Sequence, residues 1–470
     1  MVNLRRRCRR DFVRGFVVFA VLSTFALFFY VTIDARLQNN EDLLDMRRRR
    51  ADYLQRRFLQ RFVDKVQAVA NKDSRHIPPP RRVRLNATSD EERRQEGEKV
   101  EKEADGDEMY VVRSNQLPLP NYNLHAFYYP WYGSPDVDGN YMHWNHVYMP
   151  HWDKKEATKW RTGRHVPPHD VGSNFYPQLG AYSSRNRTVL HIHMLQMRTA
   201  GIGVLVVSWF PPNRHDPNGS GLDSVMPRIL DIAHQHKLKV AMHSEPYDGR
   251  QGQRLYDDLK YFVDTYGEHP ALYRVERKNG SPALPMIYVY DSYFTPTEDW
   301  VNLLHPNGKL SIRGSKYDCI CITLLVQQGH KELLQRANFD GFYTYFATNG
   351  FTYGSTQRNW YSLKQMANQL GKIFIPSVGP GYVDTRVRPW NKANIRDRQH
   401  GMYYASSFQA ALQLKTRFVS ITSFNEWHEG TQIEPAIPKA IDDFTYLDYS
   451  PLKPDAYLEA TRTWAQLVGK

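Results

Sequence analysis

The sequence predicts a (β/α)8 barrel with long loops over residues 119–470, preceded by a transmembrane helix and a largely disordered stem. Three observations favour this fold class. Short apolar runs alternate with helical stretches after residue 120, which is typical of a parallel sheet covered on both faces. Polar and aromatic residues gather where these runs end. A charge-free segment near the amino terminus is long enough to cross a bilayer.

The amino-terminal segment predicts a single-pass type II membrane anchor. Five arginines among the first ten residues precede a charge-free run from Phe16 to Ile33. As a helix this run would rise about 27 Å, close to the hydrocarbon thickness. Arginines before the span favour a cytoplasmic amino terminus, and the lack of a small-residue cleavage site argues against a cleavable signal peptide. We therefore predict a cytoplasmic tail over residues 1–11, a transmembrane signal anchor over 12–34 and a lumenal stem over 35–118.

The stem has a composition of its own. Residues 51–72 place apolar side chains at helical spacing, which predicts a short amphipathic or self-associating helix, or a solvated stem helix. The prolines at 78–80 end it. The run from Asp90 to Glu108 is too charged and too poor in apolar residues to pack, so we expect a tether. The net charge of +13 is spread along the chain without a basic, aromatic-interleaved strip, so nucleic acid is not an expected partner.

Glycosylation triplets are consistent with a lumenal location after residue 34. Asn86, Asn186 and Asn218 each begin an Asn-x-Ser/Thr triplet, the acceptor of N-glycosylation in secretory proteins. A fourth triplet at Asn279 is followed by Pro282, which disfavours it. Because such triplets also arise by chance, they support the compartment without establishing it.

The three cysteines exclude a disulfide framework. Cys319 and Cys321 lie two apart in an apolar run, so on a strand both side chains face the same way. A bond between them would need strained geometry. We interpret them as buried thiols.

The barrel elements follow in chain order from about residue 121. Near-continuous apolar runs predict strands buried on both faces, and eight are found: residues 124–131, 203–210, 239–247, 286–292, 319–325, 341–347, 372–379 and 418–427. Helical stretches include 222–237, 331–339 and 357–371, with a last helix from Pro454 to Val468. Eight units in about 350 residues favour a barrel. A doubly wound open sheet is the alternative.

Two glutamates after the last strand are the candidate catalytic pair. Glu426 and Glu429 follow a strand that should be buried, and barrel enzymes build their sites at the carboxyl ends of strands. Glycosidic cleavage needs a protonated carboxyl at the leaving oxygen and a second carboxylate on the reacting sugar. Partial burial against Trp427 and His428 would raise the pKa of one carboxyl while the other stays ionised. Two solvated glutamates in a loop are the alternative.

Further polar residues at strand ends are candidate sugar ligands. Glu245 follows His243 at the third strand and is either a rival catalyst or an acceptor for sugar hydroxyls. Arg388 and Trp390 follow the seventh strand. An arginine there either binds hydroxyls, orients a carboxylate or forms a loop salt bridge.

Three other kinds of site are disfavoured. The Asp136-Val-Asp138 triplet is a pattern with which many Golgi glycosyltransferases hold a metal, but here it lies in a turn-rich segment, and no Rossmann-like glycine fingerprint is present. Histidine pairs such as His143 with His146 lack the His-Glu-x-x-His pattern. No Gly-x-Ser-x-Gly elbow marks a nucleophilic serine. We therefore predict neither a metal nor a cofactor.

Several long motifs resemble glycoside hydrolase family 99, the endo-α-1,2-mannosidases. They run in order from about residue 121 to residue 468: HAFYYPWYGSP, HVPPHDVGSNFYPQLGAYSS, VVSWFPP, EPYDGR, GFYTYFATNGFTYGS, PSVGPGYVDTRVRPWN and SFNEWHEGTQIEPA. Because the motifs are long and span the predicted barrel, the resemblance is specific. The order of tail, anchor and stem also resembles the animal Golgi members of that family.

This resemblance implies a retaining endo-cleavage that releases glucosyl-mannose from a glucosylated high-mannose N-glycan. Glu426 would remove the proton from the mannose 2-hydroxyl, which attacks its own anomeric carbon to give a 1,2-anhydro sugar. Glu429 would protonate the leaving oxygen and then activate water. The resemblance also implies a Golgi membrane location with a lumenal catalytic domain, an N-glycan as the partner, and no cofactor.

The resemblance further implies which residues bind the sugar. The family's aromatic and arginine ligands match Tyr129, Trp131, Trp209, Tyr345 and Arg388, and with Phe210, His243, Glu245 and Trp427 these form the predicted substrate-binding set. The family has Tyr in animal members and Trp in bacterial members where this sequence has Phe210, which leaves the choice of glucose or mannose at the distal subsite open. A non-catalytic lectin-like relative is the alternative, and the presence of both glutamates argues against it.

Overall fold

The computed structural model describes residue 107, residues 109–111, residues 113–215 and residues 221–470. The predicted tail and anchor, most of the stem, and the triplets at Asn86 and Asn218 lie outside the described residues. Within these ranges, no helix is both long and apolar enough to cross a bilayer.

Nine parallel strands form a nearly closed barrel. With one antiparallel strand, β4, the sheet has ten strands: β1 (Asn121–Tyr128), β2 (Ile202–Trp209), β3 (Lys239–Ser244), β4 (Arg274–Glu276), β5 (Ala283–Val289), β6 (Ile320–Leu324), β7 (Gly341–Tyr343), β8 (Ile373–Ile375), β9 (Ser377–Val378) and β10 (Val419–Ile421). Their order around the barrel is β8-β7-β6-β5-β3-β2-β1-β10-β9, with β4 pairing antiparallel to β5 outside this path. A two-stranded hairpin, β11 (Ala440–Ile441) and β12 (Phe444–Thr445), follows.

The barrel closes through Pro376. β8 pairs with β7, β9 pairs with β10, and Pro376 alone separates β8 from β9. Proline has no N–H to give to a ladder, so the seventh predicted strand is divided there. Its carbonyl still accepts a hydrogen bond from the Ser420 N–H at 3.1 Å. All eight predicted strand segments therefore lie in one wall, which confirms the barrel and excludes the open sheet.

Helices connect successive strands. The described ones are α1 (Pro135–Asp138), α2 (Lys154–Ala157), α3 (Arg187–Thr199), α4 (Met226–Gln235), α5 (Gln253–Tyr266), α6 (Thr297–Leu304), α7 (Lys331–Gln335), α8 (Trp360–Leu370), α9 (Met402–Gln413) and α10 (Ala456–Ala465). In α4 the side chains of Met226, Ile229, Leu230 and Ala233 are buried, which is the spacing of one helical face. α8 ends at Gly371, whose φ of 63° is a left-handed conformation that glycine adopts without a steric cost.

Aromatic side chains fill the barrel interior. Residues two apart on a strand face the same side of the sheet. Phe127 of β1 meets His243 of β3, Tyr288 of β5 and Tyr343 of β7, with ring centroids 4.8, 5.7 and 5.5 Å apart. All four are buried. The next inward positions along these strands are 129, 245, 290 and 345, which places their side chains at the carboxyl end of the barrel.

Cys321 of β6 and Cys319, the residue directly before that strand, are free and buried, as predicted. Cys319 and Cys321 face the same side, with Sγ atoms 2.7 Å apart. Burial raises the pKa of the Cys319 thiol. They therefore belong to the core rather than to a reactive site.

Residues on the amino-terminal side of position 119 contact the barrel domain. The carboxylate of Asp107 pairs with Arg187 and lies 2.8 Å from His191 Nε2. The ring of Tyr110 stacks on His191 at 5.1 Å. Arg198, which is 1% exposed, donates to Ser114 Oγ and to the carbonyls of residues 117, 118 and 236. The last residues of the predicted stem thus pack on α3.

Candidate active site

The floor of the site is the layer of side chains that follows the aromatic interior. Tyr129 and Tyr345 join their hydroxyls at 2.5 Å, and both are buried. Glu245 Oε1 lies 3.1 Å from His243 Nδ1, while His243 Nε2 meets Tyr343 Oη at 2.8 Å. Tyr345 has a φ of 50°, a left-handed conformation that costs a non-glycine residue free energy and is found most often at functional sites.

The turn that carries Glu426 and Glu429 is closed by its own hydrogen bonds. The Ser423 N–H donates to the Thr431 carbonyl at 2.9 Å, and the Glu426 N–H donates to Ser423 Oγ at 2.7 Å. The Glu429 N–H donates to Glu426 Oε2 at 2.6 Å. The backbone of one glutamate therefore orients the carboxylate of the other.

Asn425 and Tyr132 fix this turn to the end of β1. Asn425 Oδ1 accepts from the Tyr129 N–H at 2.7 Å, and its Nδ2 donates to the Tyr129 carbonyl at 3.0 Å. The side-chain amide of Asn425 thus bonds both backbone groups of Tyr129, as the backbone of a neighbouring strand would. Tyr132 Oη donates to the Asn425 carbonyl and accepts from the Trp427 N–H, both at 3.1 Å.

The two glutamates differ in burial. Glu426 is 4% exposed, whereas Glu429 is half-buried. Burial, together with the negative charge of Glu429, raises the pKa of Glu426, although the Glu429 N–H opposes this. Burial raises the pKa of Glu429 to about 7, with the positive charge of Arg388 opposing and the charge of Asp384 adding to that rise. Burial and mutual repulsion together favour one proton on the pair near neutral pH.

Asp384 holds the arginine that faces Glu429. Its carboxylate is fully buried, and Oδ2 accepts from Tyr382 Oη at 2.8 Å, Arg388 Nη1 at 3.1 Å and Asn391 Nδ2 at 2.9 Å. The positive charge of Arg388 lowers the pKa of both Glu426 and Glu429. The loop after β9 thus places a cation beside Glu429 and fixes it from behind.

Two adjoining cavities meet at Glu429. One, of about 400 Å³, is lined by both glutamates and by the floor residues Tyr129, Glu245 and Tyr345. The other, of about 380 Å³, is lined by an aromatic wall: Trp152, Tyr290, Phe346, Phe351, Tyr382 and Trp390. Glu429, Arg388 and Tyr290 line both. The half-buried glutamate therefore has open volume on each side of it.

Neutral histidines form part of the first cavity wall. His428 Nδ1 donates to the Gly172 carbonyl at 2.7 Å, and His146 Nδ1 donates to the Val147 carbonyl at 2.7 Å. Burial lowers the pKa of His428, and it lowers that of His146 to about 4. Their Nε2 atoms are therefore acceptors. In the described part of the chain, no group of three or more His, Cys, Asp or Glu side chains is arranged to hold a metal ion.

The structure gathers six of the predicted substrate-binding residues around the two glutamates. Lining the first cavity with Glu426 and Glu429 are Tyr129, Trp131, His243, Glu245, Tyr345 and Arg388. Three others are placed elsewhere. Trp209 is 1% exposed and donates to Asp223 at 2.9 Å, Phe210 is buried, and Trp427 is fully buried with its Nε1 on Glu434 at 3.0 Å. None of these three lines either cavity.

Several residues that line the cavities, or that hold a lining residue as Asp384 holds Arg388, were not among the predicted ligands. Tyr290 lies two residues after the inward-facing Tyr288, so strand register alone would have indicated it. Asp384 lies four residues before Arg388 in the same motif, a spacing that allows the observed ion pair. His146 and Trp152 come from the long segment between β1 and α3, where no periodic pattern predicts which side chains turn inward.

Comparisons with known proteins find relatives over the same part of the chain. The model of glycosyl hydrolase family 99 matches residues 118–470. A glycoprotein endo-alpha-1,2-mannosidase of Rattus norvegicus is 54% identical over 359 residues, covering 76% of this chain and 78% of that protein. A glycoprotein endo-alpha-1,2-mannosidase-like protein of Homo sapiens is 54% identical over 344 residues, covering 73% of this chain and 75% of that protein.

A solved structure has the same fold. The GH99 endo-alpha-mannosidase from Bacteroides thetaiotaomicron is 41% identical, with a TM-score of 0.68, and the match covers 74% of this chain and 98% of that chain. At that identity and coverage, the likeness extends through the whole barrel.

Proposed function

The chain belongs to glycoside hydrolase family 99 and is a glycoside hydrolase; we propose that it is a retaining endo-α-1,2-mannosidase acting on glucosylated high-mannose N-glycans. The observation that carries this proposal is the position of Glu429, which lies where two cavities meet. An endo-acting enzyme must accommodate sugar on both sides of the bond that it cuts. A proton donor at the junction is placed to reach the leaving oxygen of a chain that occupies both cavities.

In the first step the substrate supplies its own nucleophile. Glu426, which lines only the first cavity, takes the proton of the mannose 2-hydroxyl. The freed O2 forms a bond to C1 of the same sugar while the bond from C1 to the leaving oxygen breaks. Glu429 gives its proton to that oxygen. The products of the step are a 1,2-anhydro sugar and the shortened glycan.

In the second step the same groups act in reverse. Glu429, now ionised, takes a proton from water, and the water oxygen forms a bond to C1 as the bond from C1 to O2 breaks. O2 recovers its proton from Glu426. Because C1 is inverted twice, its configuration is retained.

The charges around the pair support these roles. A pKa of about 7 at Glu429 keeps a large protonated fraction at neutral pH, as a general acid requires. The raised pKa of Glu426 makes it a stronger base once it is ionised, and the Glu429 N–H and Arg388 favour that ionised form. The proposed roles require that the pair share one proton, with Glu429 holding it when the leaving oxygen is protonated.

A digest of a defined glycan tests the proposal. The full chain, extracted from membranes, is incubated with a glucosylated high-mannose glycan, and the products are weighed by mass spectrometry. Release of glucosyl-mannose with initial α-configuration at its reducing end supports the proposal. Binding of the glycan without any release would instead identify a lectin-like protein, and turnover that needs a nucleotide sugar would identify a transferase.

The distal sugar is tested in the same digest. Phe210, predicted to shape the distal subsite, is buried and does not line either cavity. The absence at this position of the tyrosine hydroxyl found in animal members therefore acts on a ligand only through neighbouring groups. We propose glucose as the distal sugar. Equal or faster cleavage of the corresponding mannose-terminated glycan would contradict this.

We also propose that residues 12–34 anchor the protein in the Golgi membrane with the catalytic domain in the lumen. The charge-free run and the arginines before it support this orientation. Asn186 caps α3 through Oδ1, which accepts from the N–H groups of Thr188 and Val189, whereas glycosylation takes place at Nδ2. Protection of the barrel domain from protease in sealed vesicles, together with a mass shift on Asn186→Gln, tests the orientation.

A further inference from the structure

Arg398 is a buried cation that the proposed mechanism does not use. It is 9% exposed and lines neither cavity. Its guanidinium lies against three aromatic rings, those of Phe175, Tyr449 and Tyr457, at 4.6, 4.8 and 4.6 Å from their centroids. Among the described residues, its Nε and Nη1 have no hydrogen-bond partner. The charge is thus held by aromatic faces rather than by a carboxylate.

The guanidinium donates hydrogen bonds to the turn that carries Glu426 and Glu429. Arg398 Nη2 donates to the Gly430 carbonyl at 2.9 Å and to the Gln432 carbonyl at 2.7 Å. Gly430 follows Glu429 directly. Gln432 also accepts from Tyr449 Oη at 3.3 Å, whereas the Gly430 carbonyl depends on Arg398. The arginine therefore fixes the Gly430–Thr431 peptide group, which begins one residue after the candidate acid.

The backbone around Glu429 has little freedom to move. Its N–H is bonded to Glu426 Oε2 at 2.6 Å, and its carbonyl accepts from the Val383 N–H at 2.8 Å. Gly430 has a φ of 61°, and a Cβ built there would lie 2.6 Å from the Val383 carbonyl oxygen. A segment packed this closely holds its position only while each contact is made.

An apolar side chain at position 398 would fill the aromatic cage without burying a charge. It would also leave the Gly430 carbonyl buried without its donor, and a buried acceptor without a partner is costly. A turn of that carbonyl toward another donor would rotate the Gly430–Thr431 peptide, and Gly430 would pass part of this rotation to the Glu429–Gly430 peptide beside it. Arg388, not Arg398, is the cation that lies in the cavities beside the Glu429 carboxyl.

We propose that Arg398 is a positioning residue for the reaction, which sets the place of the Glu429 carboxyl at the cavity junction by holding the Gly430 carbonyl. The proposal rests on the proposed function. A displaced acid matters most where the leaving group needs its proton, because a poor leaving group such as a sugar hydroxyl is expelled only when protonated, whereas fluoride leaves with little help. The decrease in rate that follows loss of Arg398 should therefore be larger for a sugar leaving group than for fluoride.

The test compares two substrates and two buried arginines. Arg398→Met is assayed in the full chain on the glycan and on the fluoride of the same disaccharide, below the unfolding temperature of each variant. The control is Arg198→Met, since Arg198 is also buried and bonded to carbonyls but lies at the end of α3, at the opposite end of the barrel. Glu429→Gln provides the reference for a lost acid.

Arg398→Met should lower kcat on the glycan by about 100-fold, the effect of a displacement of about 1 Å, with KM little changed. In a single turnover, its rate of fluoride release should fall by less than about tenfold, a pattern shared with Glu429→Gln because this readout excludes the second step, in which Glu429 acts as the base. Arg398→Lys keeps the charge but not the planar guanidinium, so it should show the same selective loss to a smaller degree. If Arg398→Met does not fold, Arg398→Lys carries the test.

Equal losses on both substrates in the Arg398 variants, as expected of Arg198→Met, would overturn the positioning role. An unmodified chain that cleaves neither substrate would instead overturn the proposed function. A third outcome separates the two proposals. If the unmodified chain is active and Glu429→Gln slows the glycan more than the fluoride, but Arg398→Met slows both equally, the proposed function stands and Arg398 is not a positioning residue.

Discussion

The charge balance at the Glu429 carboxyl is the main feature of the molecule at the scale of single residues. Burial raises its pKa, the guanidinium of Arg388 lowers it, and the carboxylate of Asp384 raises it again. Asp384 is at the same time the acceptor that holds Arg388 in place. Each of these groups therefore affects both the position and the protonation of its neighbour.

Replacement of either catalytic carboxyl should leave the fold intact and remove turnover. Glu429→Gln cannot give a proton to the leaving oxygen, and Glu426→Gln cannot take one from the 2-hydroxyl. Each should lower kcat on the glycan by about 1000-fold, in the range that general acid–base groups contribute. The disaccharide released is measured by mass spectrometry and the fold by circular dichroism. Near-normal release by either variant would contradict the assignment of the pair.

The pH profile should show an alkaline limb governed by Glu429. The acid acts only while protonated, so kcat/KM should fall as the pH rises through a value of about 7. Arg388→Gln removes the charge that lowers this pKa, so the limb should move to higher pH. Asp384→Asn removes a charge that raises it, so the limb should move to lower pH. The measurement is the profile of kcat/KM for the three proteins.

The opposite signs of the two shifts serve as the internal control of that experiment. A general loss of stability would reduce the rate of both variants without moving their limbs in opposite directions. Limbs that coincide with that of the unmodified protein would show that another group governs the profile.

At the scale of elements, close approach of neighbouring strands decides which residues the barrel tolerates. Gly341 of β7 pairs with Ile373 of β8, and a Cβ built on it would lie 2.5 Å from the Ile373 carbonyl oxygen. Because that neighbour is backbone, the clash cannot be relieved by a rotamer change. The glycine is therefore required next to the division of the wall at Pro376.

Gly341→Ala should destabilise the protein by about 2 kcal/mol, as overpacking in a core does. Gly329→Ala is the matched control, since nothing lies within 4 Å of a Cβ there and its φ is not positive. Thermal unfolding of both variants measures the difference. A Gly341→Ala protein as stable as the control would mean that β7 and β8 separate more easily than their pairing suggests.

At the scale of the whole molecule, the last residues of the predicted stem contact the barrel domain, whose predicted start is residue 119. Asp107, Tyr110 and Ser114 contact α3, and Arg198 donates hydrogen bonds to three acceptors within residues 114–118. These contacts tie the chain that leads to the predicted anchor onto the catalytic domain.

A chain that begins at residue 119 should be less stable than one that begins at residue 105. It loses the acceptors of a buried guanidinium, and hydrogen bonds to a charged group contribute about 1.5–3 kcal/mol each. The unfolding temperature should fall by several degrees while kcat of the folded protein stays the same. Equal unfolding temperatures for the two chains would contradict a structural role for residues 107–118.

Much of the site was predictable because barrel strands place inward residues at a period of two. Tyr129, Glu245 and Tyr345 were found from strand ends and motifs, and they do line the first cavity. Trp209 and Phe210 also follow a strand end, yet they lie outside both cavities. A strand end limits where a residue lies but not the direction in which its side chain turns, and that direction depends on partners such as Asp223.

The sequence by itself determined the barrel, the pair Glu426 and Glu429, and their place after the last strand. Periodicity and motifs are local properties, so they can be read from consecutive residues of the sequence. Only the tertiary structure decided that Glu429 lies between two cavities, that Arg388 is held by Asp384, and that Arg398 holds the Gly430 carbonyl. These relations join segments that are distant in the chain or belong to loops without periodicity, so they arise only when packing brings the segments together.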